Sequence, residues 1–136
     1  MRVILDTNVF VSGAFFGGIP ARILGAWRDA RVQLVLSAEI FEEYRRVGQI
    51  LEDRYPGVDP EPLLALLAVH VEFVEAPALI EPVSADPDDD KFLACAIAAG
   101  VTLIVSGDKD LVDQSGWRGV RVLRPRQFAD EFLAEQ

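Results

Sequence analysis

The chain of 136 residues contains one cysteine and one histidine. A single cysteine excludes a disulfide framework and a cysteine-rich metal centre. The histidine, His70, lies among Leu66, Leu67, Ala68 and Val69 and is read as structural. That leaves little for a Ser–His or Cys–His hydrolase, whose nucleophile needs an imidazole to take its proton. No glycine-rich phosphate loop is present. Bases are outnumbered, with 13 Lys and Arg against 22 Asp and Glu and a net charge of −9. This argues against non-specific duplex binding, which draws on phosphate neutralisation by cations. No apolar run approaches the ~20 residues that cross a bilayer. The start lacks the basic-then-apolar layout of a signal peptide, so a cytoplasmic location is expected.

Hydrophobic residues make up 51% of the chain and charged ones 26%, a composition that supports a buried core. No repeat, low-complexity tract or linker divides it, and residues 1–136 are read as one domain. Short apolar runs suited to buried strands occur at 3–5, 33–36, 72–74, 101–105 and 120–123. Helical patterns lie between them. One covers 10–16 and is broken by Gly17-Gly18; another runs from Pro20 to about residue 30. Ser37 is placed to cap a helix with Ile40, Tyr44, Val47 and Leu51 on one face. A further helix follows Pro60-Glu61-Pro62. The next opens with Asp86 as cap and Pro87 as first residue and ends at Gly100, and Pro125 starts the last. Residues 107–111 read as a turn. This alternation predicts an α/β fold of three layers, a central, mainly parallel sheet with helices on both faces. In such sheets ligands gather beyond the carboxyl ends of the strands, where Asp6 and Asp108 fall.

The acids are unevenly placed. Glu43 lies between Ile40 and Val47 at i−3 and i+4, so its carboxylate points toward the apolar side and needs a partner. Asp86, Asp88, Asp89 and Asp90 crowd one helix start. The helix dipole favours negative charge there by about 0.3–1 kcal/mol each, yet four adjacent acids repel one another and a bound cation would relieve them. Asp88 pairs with Lys91 at i+3 and reads as peripheral. Asp6, Glu43, Asp89 and Asp108 come from two strand ends and two helices that can converge. Oxygen-only ligands suit Mg2+ or Mn2+, and such ions assist phosphodiester hydrolysis.

In this order Leu5-Asp6-Thr7-Asn8-Val9, Ser37 with Glu43-Tyr44, the segment 86–93 with Ala96, and Val105-Ser106-Gly107-Asp108-Lys109-Asp110-Leu111 resemble a PIN domain. The PIN domain is the metal-dependent ribonuclease fold of VapC-type toxins, and the likeness is to the toxin–antitoxin PIN toxin subgroup. It covers nearly the whole chain. It implies a catalytic and metal-binding quartet of Asp6, Glu43, Asp89 and Asp108, with Asn8, Ser106, Asp90 and Asp110 in support. Serine stands at 106 where threonine is commoner, and Asp90 where the subgroup often has asparagine. The resemblance further implies Mg2+ or Mn2+ as cofactor, RNA as substrate, 5′-phosphate and 3′-hydroxyl ends, a cognate antitoxin protein and a homodimer. Arg45, Arg46, Lys91 and Lys109 are candidates to meet phosphates, and Trp117 with Arg118 to stack on bases.

Two other functions compete. An aspartyl phosphohydrolase would use Asp6 as nucleophile, but Asn8 stands where such enzymes carry a second aspartate. A PIN module without activity, working through partner binding, is the non-enzymatic alternative.

Overall fold

Five short apolar segments form one sheet in the computed structural model, which describes residues 1–133. They are β1 (Arg2–Leu5), β2 (Gln33–Leu36), β3 (Glu72–Phe73), β4 (Leu103–Val105) and β5 (Arg121–Leu123). All neighbours are parallel, in the order β3-β2-β1-β4-β5. Val3, Ile4 and Leu5 are fully buried, as expected for a parallel strand covered on both faces. The chain turns one way from β1 to β3 and the other way to β4 and β5. The reversal therefore falls at the carboxyl ends of β1 and β4.

Seven α-helices among the described residues complete three α/β/α layers: α1 (Thr7–Phe15), α2 (Gly18–Arg28), α3 (Ala38–Arg54), α4 (Glu61–His70), α5 (Asp90–Ala99), α6 (Lys109–Val112) and α7 (Pro125–Phe132). Among the described residues no single helix is long and apolar enough to cross a membrane. Gly17, at φ 83°, separates α1 from α2, and the two cross at 93°. A side chain at Gly13 would come within 2.8 Å of the Pro20 carbonyl oxygen, so glycine allows α1 and α2 to meet. On the other side of α1, Phe10 stacks on Tyr44 of α3 with ring centroids 4.3 Å apart. Tyr44 is wholly buried and donates its hydroxyl to the Leu5 carbonyl at 2.5 Å.

Several local expectations need correction. Asp86 caps a single 3-10 turn, Pro87–Asp89, and the α-helix begins only at Asp90. Residues 107–111 include the start of a short helix, α6, where a turn was expected. His70 is exposed in the last turn of α4 and is not a core residue; the helix buries Leu64 and Leu67 instead.

Candidate metal centre

Strand register builds the first half of the site. β1 and β4 pair Leu5 with Val105, so one residue further along, Asp6 and Ser106 stand side by side. Ser106 Oγ donates to Asp6 Oδ2, while Asp6 Oδ1 accepts the Val9 N–H at 2.9 Å and caps α1. Ser106 Oγ accepts the Asp108 N–H at 2.9 Å, and Asp108 Oδ1 accepts that of Asp110 at 2.9 Å to cap α6. Each acid is thus oriented by the helix it starts. Burial raises the Asp6 carboxyl above its ordinary range; its bonds to Ser106 and Val9 offset this in part, and the Asp108 and Glu43 charges reinforce it.

The second half comes from the turn before α5. Asp89 is buried, and its Oδ2 has no hydrogen-bond partner. One carboxylate oxygen from each of Asp86, Asp89 and Asp108 lies within 4.8 Å of the other two. Burial pushes Asp89 up to about 7; a side-chain hydrogen-bond interaction with Asp108 and the charges of Asp108, Asp86 and Asp6 act in the same direction. A buried carboxylate with an unpartnered oxygen, close to two further carboxylates, is an environment that a hard divalent ion satisfies.

Asp6, Glu43, Asp86, Asp88, Asp89 and Asp108 all line one cleft of about 180 Å3. The structure therefore brings the four expected acids to a common place. The tight group, however, is Asp86, Asp89 and Asp108. Asp86 is expected as a cap and as one of four crowded acids but not as a member of the quartet; it does accept the Asp88 N–H at 3.0 Å, and it lines the cleft as well.

Glu43 is differently engaged. Its Oε1 accepts from Thr7 Oγ1, and its Oε2 lies 2.9 Å from Lys91 Nζ and 3.5 Å from Arg46. The partner that its helical position demanded thus comes mainly from another helix. Lys91 had been read as a surface cation for substrate phosphates, and this is corrected: its side chain is 5% exposed. Besides Glu43 it contacts Asp88 Oδ1 at 3.0 Å and the Asp88 carbonyl at 2.7 Å. Three oxygens for three ammonium N–H bonds leave none for a phosphate. Burial alone would lower its pKa, but the carboxylates of Glu43 and Asp88 outweigh that and raise it.

Among the supporting residues, Asn8 lines the cleft and Ser106 links Asp6 to Asp108. Asp90 has a different task, since its two oxygens accept the N–H groups of Val83 and Ser84 and anchor the preceding loop. Asp110 does not line the cleft; its carbonyl accepts from Ser84 Oγ. Arg45 pairs with Glu42 and Lys109 with Asp113, both on the surface. Arg46 remains at the rim with Glu43 and Lys91. Trp117 and Arg118 stack on each other, 4.9 Å from guanidinium carbon to ring centroid, beside the loop 77–83 rather than in the acidic cleft. Thr7 was missed, although it follows Asp6 directly. Cys95 is buried, as expected of a core residue.

The PIN domain family profile matches residues 2–110, from the start of β1 into α6. No curated protein matches the chain.

Proposed function

The chain belongs to the PIN domain family, whose members are generally metal-dependent nucleases, and we propose that it is an endoribonuclease hydrolysing RNA phosphodiesters with Mg2+ or Mn2+. The observation that carries this reading is the close group of Asp86, Asp89 and Asp108, in which buried Asp89 keeps one oxygen without a hydrogen-bond partner. These three residues would hold the ion, with Asp6 lining the same cleft. A bound divalent ion supplies Lewis acidity and lowers the pKa of water. It also supplies the positive field that a chain of net charge −9 lacks. Asp6 and Ser106 fix the position of Asp108, and Glu43 lines the cleft with its carboxylate beside Lys91. Arg46, exposed beside Glu43, is the cation that would meet a backbone phosphate.

The wider reading is a toxin that acts in the cytoplasm as a homodimer and is held inactive by a small antitoxin encoded nearby. It rests on the sequence resemblance. An aspartyl phosphohydrolase is less well supported, because both oxygens of Asp6, its required nucleophile, are committed to Ser106 and Val9. The test is incubation with labelled single-stranded RNA and Mn2+ or Mg2+, with EDTA and Asp6→Asn as controls. Cleavage abolished by both controls is expected. Absence of cleavage, with phosphate release from a phosphomonoester, would overturn the nuclease in favour of the phosphohydrolase.

A further inference from the structure

Six acids share one cleft, yet only two of them, Glu43 and Asp88, touch the buried ammonium of Lys91. A desolvated ammonium without partners costs several kcal/mol, so its three close oxygens are a built arrangement. It places a permanent cation against Glu43 and, among the described residues, none against Asp86, Asp89 or Asp108. Thr7 Oγ1 holds the other Glu43 oxygen, so both ends of that carboxylate are secured by side chains from α1 and α5.

We infer that Lys91 is a positioning residue that keeps Glu43 out of the coordination sphere of the divalent ion. Asp86, Asp89 and Asp108 are left to bind the ion, and Glu43 is held at the cleft wall by Thr7 and Lys91. Lys91 is an internal counter-ion that partitions the acids by function. This rests on the reading of the cleft as a metal site, and the test separates the two.

Mn2+ affinity is measured by calorimetric titration, without RNA, on the folded protein and four variants. Asp89→Asn is expected to weaken binding at least ~10-fold, whereas Glu43→Gln changes it less than about threefold, because affinity follows the charge of the ligating set. Lys91→Arg, which keeps the cation, stays near the parent. Lys91→Met releases Glu43 toward the ion and tightens binding by about threefold or more. Should Lys91→Met fail to fold, Glu43→Gln decides alone, since Lys91 still has Asp88 in that variant. If Glu43→Gln weakens Mn2+ binding as much as Asp89→Asn does, Glu43 is a ligand and the inference is overturned while the metal site stands. A parent protein that binds no Mn2+ overturns both.

Discussion

At Asp89 burial and crowding oppose ionisation, and the metal reading predicts how that opposition is resolved. Its carboxyl is raised to about 7 against an ordinary value of 3.8. The metal-free folded state therefore keeps a proton that the unfolded chain releases near pH 4. Stability referable to this group is present below about pH 4 and lost as pH climbs through about 7. Melting temperatures in EDTA should fall across that window for the parent relative to Asp89→Asn. At neutral pH the variant should melt several degrees higher, at roughly 4 °C per kcal/mol for a domain of this size, while losing metal-dependent activity. A variant that melts lower throughout would show that the crowding is not repulsive. Divalent ions need the ionised form, so Mn2+ affinity should fall with acidity below pH 7, up to about tenfold per unit for one displaced proton. Asp6, Asp89 and Asp108 were legible in the sequence because each stands where an apolar run or a cap stops. Lys91 was not. Its neighbour at i−3 is visible in sequence, but Glu43 lies 48 positions earlier, and only the packing of α3 against α5 reveals that pair.

Individual helices carry their own demands. Tyr44 ties α3 to the end of β1 and so sets the height at which Glu43 enters the cleft. Tyr44→Phe keeps the stack on Phe10 but strands the Leu5 carbonyl, and should cost about 1–3 kcal/mol in denaturant unfolding. A cost near zero would mean the carbonyl finds another donor. Gly13→Ala is usually stabilising within a helix, by ~1 kcal/mol. Here the added methyl meets the Pro20 carbonyl at 2.8 Å, and overpacking should destabilise by about 1–3 kcal/mol; a raised melting temperature would contradict the close crossing of α1 and α2. The long helices were readable from caps and apolar spacing, as Ser37 shows by accepting the Ile40 N–H. Four-residue α6 was not, because so short a helix has no periodicity, and Asp108, which caps it, falls in a segment that reads as a turn. The exposure of His70 escaped the sequence for the opposite reason. In α4 nearly every residue is apolar, so no face stands out.

For the molecule as a whole, the excess of acid makes its stability depend on what binds to it. Mn2+ or Mg2+ at one hundred times its dissociation constant should stabilise the fold by about 2.7 kcal/mol through linkage. The gain should shrink by about 1.3 kcal/mol or more with Asp89→Asn, and an equal gain in that variant would place the ion elsewhere. The parallel sheet was foreseen from alternating strands and helices, and the strand-end rule pointed to the right edge of it. What sequence order could not supply was how residues 86 and 108 meet. That depends on the reversal between β1 and β4. The same pairing sets a limit on how this protein can vary. Side chains on a strand alternate between faces, so deleting one residue from β1 or β4 would turn Asp6 and Ser106 to opposite sides. In a library of single deletions, manganese retention would then report on the alignment of two neighbouring strands even where the mutant chain still folds.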